Sequence, residues 1–69
     1  MTQNYRTREY DKYGKPMYNS FVISQTFFSQ EIEEHKHMGD SIRTSKDGQV
    51  TVNHKAGGYT TYRPSNSDV

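Results

Sequence analysis

Cysteine, tryptophan and leucine are all absent from this 69-residue chain. Without cysteine there is no disulfide, no thiolate metal site and no cysteine nucleophile. Without leucine or tryptophan, a core has to be built from other side chains. Only 29% of the residues are hydrophobic, and six of those are tyrosines. Long apolar runs are missing as well, the longest being Phe21-Val22-Ile23. A membrane helix needs about 20 apolar residues and a signal peptide a stretch of about 7–15. The expectation is therefore a soluble, cytoplasmic chain that does not engage a membrane. A chain this short allows one small domain, which buries only about 60% of the surface its unfolded form exposes. We expect that domain over residues 1–63, with a loose tail over 64–69.

A strong net charge is lacking too. The balance is +1, with 25% of residues charged, which argues against both a strongly basic nucleic-acid binder and an acidic mimic of one. The charge is distributed in blocks: +2 over residues 1–28, −3 over 29–40 and +2 over 41–69. Solvated faces account for such blocks in most proteins.

The last third of the chain carries the clearest pattern. Ile42, Thr44, Val50 and Val52 flank Lys46-Asp47-Gly48. A three-residue loop with Gly48 in the left-handed region pairs Ile42 with Val52 and Thr44 with Val50, which keeps the apolar residues on one face. A hairpin over Ser41 to His54 follows. A second turn at Lys55-Ala56-Gly57-Gly58 precedes a strand from Tyr59 to Arg63, which Pro64 should end. Its register is open. A four-residue loop buries Tyr59 beside His54, and a three-residue loop sets Val50 opposite Tyr62.

The first third reads as a weaker hairpin: Tyr5 to Tyr10, turn residues over Asp11 to Pro16, then Met17 to Phe28 with apolar residues on both faces, as in a central strand. Between the hairpins, Ser29 can cap a helix and Gly39 can end one. The fold class expected is α+β: a small antiparallel sheet of four or five strands with one short helix near residues 29–38. The alternative is a longer helix over 19–38 packed on a C-terminal β-meander.

Chemical signatures are sparse. There is no nucleophile elbow, phosphate loop or dinucleotide fingerprint, so the expected role is non-enzymatic and free of cofactors. His35 and His37, with Glu31 and Glu34, are metal-ligand types, but residues two apart on a helix do not share a face, and His54 has no place in the pattern; no metal site is assigned. The interleaving of rings and cations is more informative. Tyr5, Arg6, Arg8, Tyr10 and Tyr13 alternate near the start, and Lys55, Tyr59, Tyr62 and Arg63 repeat the theme near the end. Tyr and Arg dominate protein-interface hot spots, and sheets bearing aromatic residues in a basic groove bind single strands. Glu9 and Asp11, inside the first run, weigh against phosphate binding.

The leading expectation is a small protein-interaction module or regulator, of the accessory kind that phages and mobile elements encode, binding a protein through these nine residues. Single-stranded nucleic acid is the alternative partner. Self-association is a further expectation, because pairing two copies would cover Tyr18, Phe27 or Phe28.

Overall fold

The computed structural model describes residues 3–65. Its elements run β1 (Asn4–Tyr10), β2 (Phe21–Ile23), α1 (Gln25–His37), β3 (Ser41–Thr44), β4 (Val50–Asn53) and β5 (Tyr59–Ser65). The five strands form one antiparallel sheet in the order β2-β1-β5-β4-β3. This is the expected α+β class, a five-stranded sheet with one helix.

The two hairpins meet through their seven-residue strands, β1 and β5, which pair along their whole length from Asn4↔Ser65 to Tyr10↔Tyr59. β2 and β3 lie at opposite edges of the sheet. The helix joining them crosses one face, and among the described residues no element covers the other.

The C-terminal hairpin has the expected register, Ile42↔Val52 and Thr44↔Val50. Gly48 closes its turn at φ +89°, a conformation that side chains with a Cβ resist. At the next turn the three-residue loop prevails, with His54 N–H donating to Gly58 O at 3.0 Å. Val50 therefore sits opposite Tyr62, and Tyr62 rather than Tyr59 goes inside. Gly58 is required by space as well as by its φ of +85°, since a Cβ there would lie 2.6 Å from the Tyr10 carbonyl oxygen.

Three expectations are corrected. Pro64 does not end the last strand, and residues 64 and 65 are not a loose tail: β5 continues to Ser65. Past Tyr62 it has a neighbour on the β1 side only, so it is locally an edge, where proline is tolerated. Residues 66–69 of the expected tail lie outside the described residues. Second, the segment after the first turn is an edge strand of three residues, not a central one. Glu9 O accepts from Met17 N–H, whereas Thr7 pairs with Phe21, so Tyr18, Asn19 and Ser20 together oppose Arg8 and the pairing breaks there.

Third, the helix starts at Gln25, four residues before Ser29. Ser24 is its cap, accepting the Phe27 N–H at 3.2 Å. This start turns Phe28, Glu31, Ile32 and His35 toward the sheet, and every other residue of α1 is exposed. The spacing is that of one helical face, but half of the face is polar. At the other end Gly39, at φ +82°, donates to Lys36 O, and Asp40 N–H donates to His35 O. These two bonds are the Schellman arrangement, with the left-handed glycine just past the helix.

Tyrosine and phenylalanine rings do the work of the missing leucines. Tyr62 and Val52 are 0% exposed, and Val50 and Ile23 complete the buried centre. Phe28 meets Tyr62 edge-on at 5.2 Å and stacks on Tyr5 at 3.9 Å. The Tyr62 hydroxyl donates to Glu31 Oε1 at 2.7 Å, so the polar residue on the helix satisfies the polar tip of the central ring. Burial, then that bond and the Glu31 charge, push the Tyr62 pKa far above its ordinary value. The hydroxyl therefore stays a donor.

Candidate functional site

Strand alternation sorts the ring-and-cation residues onto two faces. On the covered face, with Val50, Val52 and Tyr62, lie Tyr5, Thr7 and Glu9 of β1 and Thr60 of β5. On the open face lie Arg6, Arg8 and Tyr10 of β1, Tyr59, Thr61 and Arg63 of β5, Thr51 and Asn53 of β4, and Ser41 and Arg43 of β3. All four arginines of the chain are on this face. No Asp or Glu occupies an open-face position of the five strands. Arg6 stands directly opposite Arg63, and Arg8 opposite Thr61.

Tyr10 and Tyr59 face each other across β1 and β5, with rings stacked at 4.6 Å and 17°. Each borders a separate concavity. Tyr10 lines one of about 190 Å³ with Arg6, Arg8, Ser20, Thr61 and Arg63. Tyr59 lines a wider one of about 650 Å³ with Arg43, Gln49, Thr51 and Asn53. The stacked pair is thus a ridge between two shallow basins, with Arg6, Arg8 and Arg63 in one and Arg43 in the other. Arg6 is steadied by donating from Nη1 to Ser20 Oγ at 3.1 Å. Arg8 Nε is shielded from solvent and has no acceptor among the described residues.

Of the nine residues singled out in the sequence, Arg6, Arg8, Tyr10, Tyr59 and Arg63 come together on the open face. Tyr5 and Tyr62 do not: Tyr5 lies on the covered face, stacked on Phe28, and Tyr62 is the centre of the core. Tyr13 is 82% exposed in the β1–β2 turn, with Lys12 Nζ 5.3 Å from its ring centre. Lys55 is exposed in the β4–β5 turn. Arg43 was missed. Its signal was available, because the expected Ile42↔Val52 register already puts Arg43 on the face away from the core.

The acidic residues of the first run are turned away from the arginines. Glu9 lies on the covered face and accepts from the Tyr18 hydroxyl at 3.1 Å. Asp11 folds onto its own turn, accepting from the Tyr13 and Lys15 N–H groups, both at 2.9 Å. Asp47, in the β3–β4 turn, is the acidic group that feels Arg63, and its carboxyl is held below the ordinary range by bonds from Ser45 and Gln49 and by that charge.

A second polar cluster lies on the covered side, where the end of α1 meets the β4–β5 turn. Asp40 Oδ2 is 2.9 Å from His35 Nδ1 and 3.1 Å from His54 Nδ1, and Asp40 Oδ1 accepts from the Lys55 N–H at 3.0 Å. Hydrogen bonds from Lys55, His54 and His35 hold the Asp40 pKa at about 2. His37, two residues along the helix from His35, is exposed and takes no part.

No family model matches this chain, and no match is found among curated proteins or among solved structures. No helix among the described residues is long and apolar enough to cross a membrane.

Proposed function

We propose that this protein is a non-enzymatic binding module whose open sheet face takes single-stranded nucleic acid. One observation carries the reading: Arg6 and Arg63 are held opposite each other, beside Arg8, on a sheet face whose strands offer no carboxylate. Like charges directly opposite across a strand pair destabilise a sheet. An anionic partner relieves that repulsion and gains from each guanidinium, which matches phosphate oxygens in a two-pronged fashion. The Tyr10–Tyr59 ridge supplies ring surface for bases between the two arginine-bearing basins. The objection raised by Glu9 and Asp11 loses its force once the two carboxylates point elsewhere.

The test is titration of a fluorescently labelled single-stranded oligonucleotide at low salt, repeated across a salt series. Engagement of four phosphates gives a slope of log K on log salt of about −3, from about 0.7 per phosphate on a single strand. Absence of binding at 20 mM salt, or affinity indifferent to salt, contradicts the reading.

A protein partner is the second reading, favoured by a different surface. Met17, Tyr18, Phe21 and Phe27 are all exposed around the β2 edge, and the Tyr18 and Phe21 rings lie 5.9 Å apart. Contiguous exposed rings of this kind mark protein contacts. Sedimentation at micromolar concentration separates self-association from capture of another chain, since only the former raises the mass of the isolated protein above 8.1 kDa.

A further inference from the structure

We propose that His35, Asp40 and His54 form a binding site for a divalent transition ion of the zinc class, clipping the end of α1 to the β4–β5 turn. The site is independent of the open sheet face and lies on the opposite side of the sheet.

The backbone assembles it. The Schellman turn at Gly39 reverses the chain so that Asp40 returns beside His35. The contact between these two positions is often apolar in such turns; here it is an imidazole on a carboxylate. The three-residue β4–β5 loop then fixes His54 at the end of β4, on the same face as Val50 and Val52. One donor atom from each of the three residues lies within 4.8 Å of the other two. The side chains are only 14%, 6% and 19% exposed for His35, Asp40 and His54, so the donors are held rather than free to swing.

The spacing suits an ion. Donors bound tetrahedrally at about 2.0–2.1 Å stand roughly 3.3–3.4 Å from one another. The two nitrogen–oxygen separations here, 2.9 and 3.1 Å, fall short of that by only a few tenths of an ångström. An ion replaces the protons now shared between each ring and Asp40, and the three groups part slightly to admit it. Two imidazoles and one carboxylate favour zinc, cobalt, nickel or copper over magnesium or calcium.

The outer partners provide the second, independent argument. When Nδ1 holds a metal, Nε2 carries the ring proton and needs an acceptor. His54 Nε2 lies 2.7 Å from Thr60 Oγ1, and His35 Nε2 lies 3.4 Å from the Tyr62 oxygen. The Tyr62 hydroxyl spends its own proton on Glu31, so its oxygen is an acceptor toward His35. Without an ion, His54 is satisfied with its proton on Nδ1, donating to Asp40 and accepting from Thr60, but a neutral His35 that donates to Asp40 turns a bare Nε2 toward an oxygen whose proton is committed to Glu31. An ion on Nδ1 lets neutral His35 donate from Nε2 to that oxygen, as a second ring proton would. The Lys55 N–H meanwhile occupies Asp40 Oδ1, leaving Oδ2 for the metal. A concavity of about 630 Å³, lined by the three ligands with Glu9, Met38 and Lys55, leaves room for water as a fourth ligand.

The experiment is titration of chelator-treated protein with zinc chloride, read by melting temperature and by long-range nitrogen–proton NMR spectra of the imidazoles, with cobalt chloride as an optical probe. Zinc should raise the melting temperature, and the Nδ1 signals of His35 and His54 should move while His37 stays in place. Cobalt should give the intense visible absorption of a tetrahedral site. His54→Gln should weaken zinc binding roughly tenfold or more, and His37→Gln should leave it unchanged. The imidazole spectra of the unaltered protein decide the matter even if His54→Gln does not fold. Unmoved His35 and His54 signals at tenfold excess zinc, or movement of His37 alone, overturn the proposal.

Discussion

Arg6 and Arg63 come from opposite ends of the chain and face each other across the two central strands, on the side of the sheet that the helix leaves bare. The pair works against the fold, so its removal should help stability while harming binding. Arg6→Glu turns a repulsive cross-strand pair into an attractive one and leaves Arg63 beside Asp47. It should raise the urea midpoint by an amount equivalent to about 0.5 kcal/mol or less, the scale of an exposed pair. The same variant should bind single-stranded oligonucleotide more weakly than the parent. A variant that is both less stable and an equally good binder would contradict the reading of this face.

Tyr62 and Glu31 test the account of the core. Tyr62→Phe keeps the ring but leaves a half-buried carboxylate without its hydroxyl donor. The expected loss is about 2 kcal/mol in urea unfolding, the range for a hydrogen bond to a charged group. Tyr13→Phe, at a ring in the turn that is 82% exposed, should stay within about 0.5 kcal/mol of the parent. Equal effects at the two positions would mean that the hydroxyl of Tyr62 is not held as described.

Acid should loosen the junction between helix and sheet. Asp40 has a folded pKa of about 2 against an ordinary 3.8, because the Lys55 N–H, His54 and His35 all favour its ionised form. The unfolded chain therefore takes up the proton first. The stability Asp40 contributes is complete above about pH 4 and is lost as pH falls toward 2. Denaturation of chelator-treated protein between pH 2 and pH 5 should show a shallower decline in Asp40→Asn than in the parent. The part that remains includes Asp47, whose pKa is also lowered. An unchanged slope would remove Asp40 from the account.

The helix start separates two caps that compete in the sequence. Ser24→Ala should cost about 1 kcal/mol, as the loss of a helix cap does. Ser29→Ala should be neutral or gain a few tenths of a kcal/mol, because alanine is the better helix former inside the second turn. Thermal melts of the two variants read the difference, and the reverse order would return the cap to Ser29.

These cases show where the sequence was readable. The Ile42/Val52 and Thr44/Val50 pairs were legible because apolar alternation and Gly48 agree on one register. The β5 register was open because a slip of one residue merely exchanges one tyrosine for another. What separates the two is that Tyr62 finds Glu31 and Phe28 on the helix. The helix start was misread because its inward face mixes Phe28 and Ile32 with Glu31 and His35. An apolar stripe so thin gives no clear signal until its polar members have partners across the core. The arginine face was hidden for a different reason. Its members become neighbours only when β1 pairs with β5, and no local pattern encodes that long-range pairing. His35, Asp40 and His54 were likewise separated until the Gly39 turn and the β4–β5 loop drew them together.

The most direct measurement is NMR of the arginine side chains during titration with a single-stranded oligonucleotide at low salt. The account predicts that the Nε–Hε signals of Arg6, Arg8, Arg43 and Arg63 shift together, with the ring signals of Tyr10 and Tyr59, while Phe28 and Ile32 on the covered side stay in place. Arginine signals that do not move, or shifts confined to Tyr18, Phe21 and Phe27, would contradict it.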